Sequence, residues 1–315
     1  MKMVTKKRGF RTVSMLFILF LILIFILPGC SKLKKNPDKV IETTIYSGTK
    51  GLEMSFVNSL PPSKIYDESK LTILAELKNK GVSDLSGSKC YIHLSGYDPN
   101  IIRGIADKKY CGNNLWEKTT GLPEGGIDTV EFSTDRVSLP NGVDSLPQKF
   151  VLTACYEYET VASPIVCINP QMYKITGAMD ACAVQDVPLS GGQGAPISVT
   201  KVDVDMVSSN KVNFKIYVSN SGAGNVLRPG TSLSNCLGLN QYDNFNVLDY
   251  SVRMSSGSMI KCSPDDLRLV NGKGVIYCTF RVSEDYAYTT PLQIKLDYNY
   301  MDSISKNVEI IKTPE

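Results

Sequence analysis

Residues 71–81 read LTILAELKNKG, and residues 211–222 read KVNFKIYVSNSG. In both stretches apolar side chains alternate with polar ones, and the run ends in Asn-x-Gly. This pattern is typical of a β-strand that enters a turn. Asn79 precedes Asn220 by 141 positions, so the two stretches predict a β unit that occurs twice in the chain.

A second match supports the duplication. Residues 150–168 read FVLTACYEYETVASPIVCI, residues 292–310 read LQIKLDYNYMDSISKNVEI, and both contain Tyr-x-Tyr. The matching tyrosines stand 142 positions apart and are Tyr156 with Tyr298 and Tyr158 with Tyr300. We interpret each stretch as a β-hairpin that closes its unit. A structural role is favoured for the tyrosines, because a duplicated fold needs them twice whereas a ligand site usually does not.

The remaining strands are short, are separated by Gly, Pro, Asn and Asp, and show no helical period of 3.6 residues. The sequence therefore predicts an all-β protein of two tandem immunoglobulin-like β-sandwich domains behind an N-terminal hydrophobic signal or anchor helix. A change of parity near Lys201 predicts a β-bulge, and Asn271-Gly272 predicts a tight hairpin turn. The predicted bounds are 1–30 for the signal peptide or membrane anchor, 31–45 for a tether, 46–182 for the first sandwich, 183–196 for a linker and 197–315 for the second sandwich.

The N-terminal segment has the features of a membrane-targeting signal. Basic residues without any acidic residue precede the apolar run MLFILFLILIFIL at 15–27. This run makes about 20 Å of helix, shorter than the ~30 Å hydrocarbon core, and suits a signal peptide. The following Leu-Pro-Gly-Cys resembles a lipobox, which predicts cleavage before Cys30 and a lipid on its thiol. An uncleaved anchor and a type IV prepilin signal cut after Gly9 stay open as alternatives.

Net charge argues against a nucleic-acid partner. The full chain holds 34 basic and 31 acidic residues, and five of the basic ones lie within residues 1–30. Removal of that segment leaves 34 − 5 = 29 basic against 31 acidic residues. The mature net charge of about −2 has the wrong sign to attract a polyanion.

Eight cysteines follow Cys30, an even number that predicts four disulfides in an oxidising, extracytoplasmic compartment. No Cys-x-x-Cys pair occurs and the chain has one histidine, which disfavours a zinc site. Hairpin positions and elimination predict the pairs Cys155–Cys167, Cys262–Cys278, Cys90–Cys111 and Cys182–Cys236.

The sequence shows no arrangement typical of an enzyme. A single histidine, His93, excludes most histidine-based catalytic sites, and alternation places it on an exposed strand face. Asp203 and Asp205 could bind a cation, but their alternation with valine favours the solvent face of a strand. The glycine-rich GGQG at 191–194 lacks the Lys and Ser/Thr of a phosphate-binding loop. We therefore expect no catalytic activity, no cofactor and no metal.

One loop is a candidate for binding. CGNNLWEKTTGLPEGG at 111–126 is long and glycine-rich, and it carries Trp116, the sole tryptophan. Loops on a rigid sandwich often form recognition surfaces, and an exposed tryptophan supplies a large contact area. Trp116 is therefore a candidate partner contact; the alternative is that it folds back over one end of the sandwich.

Strands that end in Asn79-Lys80-Gly81 and Asn220-Ser221-Gly222, in tandem units behind an export signal, resemble the CARDB-type immunoglobulin-like domains of prokaryotic surface proteins. The chain also resembles uncharacterised archaeal cell-surface proteins. This resemblance implies adhesion or display on the outer face of the cell membrane, with an unknown protein or glycan partner. A pilin-like filament subunit and an accessory subunit of a surface complex remain the alternatives.

Overall fold

A computed structural model of the chain describes residues 43–173 and 180–314. Strands make up most of these residues, which confirms the prediction of an all-β protein. Residues 1–42, with Cys30 and most of the predicted tether, lie outside the described residues.

Eight strands precede residue 180. They are β1 (Leu52–Phe56), β2 (Lys64–Tyr66), β3 (Leu71–Asn79), β4 (Cys90–Ser95), β5 (Lys108–Tyr110), β6 (Ile127–Thr134), β7 (Ser145–Ala162) and β8 (Ile165–Ile168). Nine strands follow it. They are β9 (Val187–Pro188), β10 (Ile197–Ser208), β11 (Lys211–Asn220), β12 (Asn225–Leu227), β13 (Val247–Met254), β14 (Gly257–Ser263), β15 (Leu267–Arg268), β16 (Lys273–Val282) and β17 (Tyr288–Ile311). The described helical segments are one α-turn, α1 (Gln241–Asn244), and two 3₁₀ segments, Gly87–Lys89 and Leu233–Gly238.

Side-chain alternation places the strands as predicted. In β3 every second residue is buried, from Leu71 to Asn79, and β11 buries Val212, Phe214, Ile216 and Val218 in the same way. The predicted bulge is present, because the β10–β11 register shifts between Val199 and Lys201. The Asn271-Gly272 turn is also present, with both residues at positive φ.

The strands form three sheets. Two of them are β1-β3-β6 and β14-β16-β11-β10-β9. The third and largest has the order β15-β13-β17-β7-β4-β5, and β2, β8 and β12 also pair with β17. The inward side chains of all three sheets belong to one hydrophobic core. Strands from both predicted units therefore share the large sheet.

The link between the two halves is the antiparallel pairing of β7 with β17. It runs without a register shift from Ser145 to Ala162 of β7. In this ladder Tyr156 pairs with Tyr300, Glu157 with Asn299 and Tyr158 with Tyr298. Because these residues are also the ones related by the 142-residue repeat, the two strands are related by an approximate twofold axis at the Glu157–Asn299 pair.

The two predicted closing hairpins are wrong. Residues 292–310 lie within the single strand β17, and residues 150–168 form β7 and β8, which both pair with β17. Local alternation identified strands at these positions, but it could not show that each strand's partner lies in the other unit. The break at Ser163-Pro164 separates β7 from β8, and these two strands pair with consecutive stretches of β17.

The described residues belong to one compact unit. Within the stretch 183–196, β9 pairs with β10, and residues 193–196 are buried. The backbone N–H of Gly194 donates to the Gly48 carbonyl (2.8 Å), and its carbonyl accepts from Val82 (3.0 Å). The glycine-rich GGQG is thus packed against the first unit. The domain bounds themselves remain predictions.

Candidate functional site

The repeated tyrosines form a buried cluster on one face of the large sheet. Ring centroids of neighbouring members lie 5.7–6.4 Å apart, and each side chain is at most 4% exposed. Burial raises the pKa of each phenol, that of Tyr300 to about 12. All four therefore stay neutral and serve as hydrogen-bonding core residues, which agrees with the structural role expected from their repetition.

Equivalent backbone groups contact equivalent tyrosines in the two units. The Leu52 N–H donates to the Tyr156 hydroxyl (3.3 Å), and the Ile197 N–H donates to the Tyr298 hydroxyl (3.4 Å). Because the Thr160 hydroxyl donates to the Ile197 carbonyl (2.7 Å), the Tyr298 hydroxyl donates to Thr160 (3.0 Å). These bonds fasten the start of each unit to the shared sheet.

The Asn-x-Gly turns also have the same geometry in both units. Asn79 Oδ1 accepts from the Gly81 N–H (3.2 Å) while Asn79 Nδ2 donates to the carbonyl of Ser83 (2.7 Å). Asn220 repeats both bonds, with Gly222 (3.1 Å) and Gly224 (2.9 Å). Such side-chain bonds fix an Asx turn. The motif that decides the fold therefore has a structural use in each unit.

The four disulfides are Cys90–Cys111, Cys155–Cys236, Cys167–Cys182 and Cys262–Cys278. The first and last were predicted, and Cys262 lies directly opposite Cys278 in the β14–β16 ladder. The predicted pairs Cys155–Cys167 and Cys182–Cys236 are wrong. Cys155 pairs with Met301 of β17 and Cys167 with Thr289, so 301 − 289 = 12 residues of β17 separate them. That is about 40 Å of strand, far beyond the reach of about 7 Å for a disulfide.

His93 is buried, contrary to the prediction of an exposed strand residue. It lies on the predicted face of β4, but the 3₁₀ segment Leu233–Gly238 covers that face and leaves His93 5% exposed. Its Nε2 atom is 2.8 Å from the Leu233 carbonyl, so this nitrogen carries the proton and donates. Desolvation lowers the pKa of His93, which keeps the ring neutral near pH 7.

His93 also belongs to the one potential metal-ligand group found among residues 43–173 and 180–314. Its ring nitrogen and the sulfurs of Cys155 and Cys236 lie within 4.8 Å of one another. The two sulfurs are joined in a disulfide and the ring nitrogen is bonded to Leu233. Zinc binds thiolates and an unprotonated ring nitrogen, so these residues do not fit a metal in this state.

Trp116 is 54% exposed, whereas its neighbour Leu115 is fully buried. The surrounding loop is held on several sides. The N–H groups of Asn113 and Asn114 donate to the Asp128 carboxylate (3.0 and 3.2 Å), and the Leu115 carbonyl accepts from Asn79 Nδ2 (2.9 Å). The Cys90–Cys111 disulfide fixes the start of the loop. The structure thus presents the indole ring to solvent from a well-supported backbone.

The outer tyrosine face lies on β10, β11 and β16 of the second unit. We define it by the outward side chains Lys201, Asp203, Asp205, Asn213, Lys215, Tyr217, Tyr277 and Thr279. Asp203 forms an ion pair with Lys201 (2.6 Å) and accepts a bond from the Tyr217 hydroxyl (2.8 Å). The hydrogen bond from Lys201 lowers the pKa of Asp203, and the weaker effect of the bond from Tyr217 lowers it further. Asp203 and Asp205 therefore lie on the solvent side, as their alternation predicted.

Sequence reasoning missed this face as a candidate site. Tyr277 pairs with Lys215, and the matching pair in the first unit is Glu131 with Leu74. Likewise, Tyr217 stands 141 positions after Glu76. The sequence did contain a signal for this face. Aromatic residues occupy outward positions in the second unit, whereas the matching positions of the first unit hold no aromatic residue.

Comparisons with known proteins give no functional assignment. Neither a scan of protein-family models nor a search of curated proteins finds a match to this chain. Across residues 43–173 and 180–314, no helix has the length and apolar character needed to span a membrane.

Proposed function

We propose that the chain is an extracytoplasmic protein tethered to the outer face of the cell membrane through Cys30, with a binding, adhesive or display role and no catalytic activity. The four disulfides support an oxidising compartment, where such bonds persist. The lipobox-like sequence before Cys30 supports the tether.

Each unit is proposed to be an immunoglobulin-like sandwich of the CARDB type. The antiparallel strands and the Asx turn repeated in each unit support this assignment. The continuous β7–β17 pairing and the Cys155–Cys236 disulfide make the two units one rigid support. A rigid support suits display, because little conformational freedom is lost when a partner binds.

The exposure of Trp116 is the observation that carries the binding proposal. A tryptophan on a loop whose backbone is held in place offers a large apolar contact at a low entropic cost. The described part of the chain, residues 43–173 and 180–314, leaves the Trp116 side chain 54% exposed. We expect partner binding to cover it.

The test uses the intrinsic fluorescence of Trp116, the sole tryptophan. The full chain is titrated with cell-wall and membrane fractions of the source cells, and binding is expected to shift the emission to shorter wavelength. Trp116→Ala should abolish co-sedimentation with the active fraction. Tyr242→Ala, which removes another exposed aromatic ring (80% exposed), is the control and should bind normally. Unchanged emission with every fraction would refute a role for the loop.

A further inference from the structure

The outer tyrosine face contains a cavity of about 330 Å³ between its polar side chains. Asp205, Lys215 and Tyr277 line it together with Asn213 and Thr279. Thr279 donates a hydrogen bond to Asn213 Oδ1 (2.8 Å), so these two side chains are held in place. Phe214 and Cys278, whose side chains are buried on the inner face of the same two strands, complete the lining of this recess.

Three side chains at this recess remain available to contact a ligand. Within the described part of the chain, the Asp205 carboxylate has neither an ion pair nor a hydrogen bond, and Lys215 has no carboxylate partner. The Lys215 ammonium lies 5.0 Å from the Tyr217 ring centroid and 5.8 Å from that of Tyr277. Tyr277 itself is 55% exposed. An acceptor, a donor and an aromatic ring therefore converge on one small volume.

The charges of the face restrict the ligand. A cationic ligand would meet Lys215 and Lys201, which already lie over the tyrosine rings. An anionic ligand would meet Asp203 and Asp205. A neutral ligand with many hydroxyl groups avoids both conflicts, because a hydroxyl donates to a carboxylate and accepts from an ammonium group. Its C–H face can also pack on an aromatic ring. A sugar ring combines these properties.

The duplication supplies an internal comparison. The positions of Lys215, Tyr217 and Tyr277 correspond to Leu74, Glu76 and Glu131 in the first unit. The fold of a unit therefore forms without an ammonium group or tyrosines at these sites, whereas it keeps the buried Tyr-x-Tyr in both units. The fold of a unit therefore does not require the tyrosines of the outer face, whereas it uses the buried tyrosines in both units.

We propose that the outer tyrosine face binds a neutral glycan, with a hexose ring on Tyr277, its hydroxyl groups bonded to Asp205 and Lys215, and the recess on the outer face of β11 and β16 as the specificity pocket. This site is separate from the Trp116 loop and does not depend on it. A recess lined by a few convergent polar groups beside an aromatic ring is the usual form of a small-ligand site.

The test is titration calorimetry on the full chain, solubilised in a detergent without a sugar headgroup. The probes are neutral hexasaccharides of glucose, mannose and N-acetylglucosamine. We expect at least one to bind saturably at concentrations up to about 1 mM. Tyr277→Ala should weaken that binding about tenfold or more, since stacking is lost, and Asp205→Asn should weaken it as well. Both changes are on the surface, and unchanged thermal unfolding confirms the fold of each variant.

Glu131→Ala is the matched control, because Glu131 occupies in the first unit the place of Tyr277 in the second. Its glycan binding should equal that of the unchanged chain. No binding of any of the three hexasaccharides would overturn the proposal, as would an equal loss in Glu131→Ala. Binding of a lysine-rich peptide without any of the sugars would also overturn it, because the surface would then recognise basic protein. Loss of glycan binding in Trp116→Ala but not in Tyr277→Ala would place the glycan on the loop instead.

Discussion

The hydroxyl of Tyr158 occupies the position that a β-carbon at residue 81 would need, so only glycine fits there. Tyr300 and Gly222 repeat this relationship in the second unit. Each contact joins an Asx turn to a strand of the shared sheet. The two most distinctive features of the sequence, Asn-x-Gly and Tyr-x-Tyr, are therefore two halves of one packing arrangement.

This arrangement predicts the effect of adding one methyl group. Gly81→Ala and Gly222→Ala should each lower the free energy of unfolding by about 1–3 kcal/mol, because a tyrosine or the adjacent backbone must move. Urea unfolding of the described domain within the full chain measures the loss. Gly238→Ala is the control, since only the exposed Asn235 side chain lies near its β-carbon. Equal stability of Gly81→Ala and Gly238→Ala would refute the close contact.

The two Asx turns should differ in their sensitivity to loss of the amide. Asn79→Ala removes bonds to the Ser83 and Leu115 carbonyls in a fully buried site. Asn220→Ala removes the bond to the Gly224 carbonyl and the bond from the Tyr300 hydroxyl in a half-buried site. Buried groups left unpaired cost about 1–3 kcal/mol, whereas water replaces lost partners at accessible sites. We expect the larger loss of unfolding free energy for Asn79→Ala. The reverse order in urea unfolding would contradict this assignment.

The disulfides should contribute unequally to stability. Cys155–Cys236 spans 81 residues and joins the two units, whereas Cys262–Cys278 spans 16 residues of one hairpin. The chain-entropy relation gives about 4.5 kcal/mol for the longer loop and about 3 kcal/mol for the shorter one. Replacing both members of each pair by alanine should therefore destabilise the chain more at Cys155–Cys236.

Peptide mapping without reduction checks the connectivity that this comparison assumes. A digest should yield a Cys155 peptide joined to a Cys236 peptide. A Cys155 peptide joined to a Cys167 peptide would contradict the structure. Equal free energies of unfolding in urea for the two double variants would leave the connectivity intact. They would, however, reject the predicted difference in loop entropy.

Local sequence patterns identified strands but not their partners. Alternation located β3 and β11, and the parity shift at Lys201 located the bulge. The error at residues 150–168 arose because alternation contains no information about which strand lies alongside. The register of β7 with β17 depends on contacts between residues more than 130 positions apart, which no local rule reports.

The candidate sites show the same limit. The partner of Cys155 is Cys236, which comes from the 3₁₀ segment Leu233–Gly238 and not from a neighbouring strand. That segment also buries His93, so a residue that strand parity marks as outward is 5% exposed. Tyr217 and Tyr277 lie in adjacent strands, and only the register of β11 with β16 brings them to one face.

The buried state of His93 predicts a pH dependence of stability. Desolvation lowers its pKa in the folded chain, so protonation favours the unfolded chain. The contribution of neutral His93 to the free energy of unfolding is complete above the unfolded-state pKa of about 6.5. It falls as the pH drops from there toward the folded-state pKa. Urea unfolding between about pH 7 and pH 5 should show this loss.

His93→Gln is the matched variant, because the glutamine amide can still donate to the Leu233 carbonyl but does not titrate. Since His93 is the sole histidine, the variant should lose less stability than the unchanged chain over this pH range. The same slope in both proteins would show that other groups control the response.

The intact, non-reduced mass of the protein extracted from its native membrane is the most direct test of the proposed tethered, disulfide-bonded display protein. We expect a species that begins at Cys30, carries added lipid mass, and lacks two hydrogen atoms for each of the four disulfides. A species that begins at Phe10 would instead indicate prepilin processing. An unmodified species that begins at Met1 with free thiols would contradict both the lipid tether and the oxidising compartment.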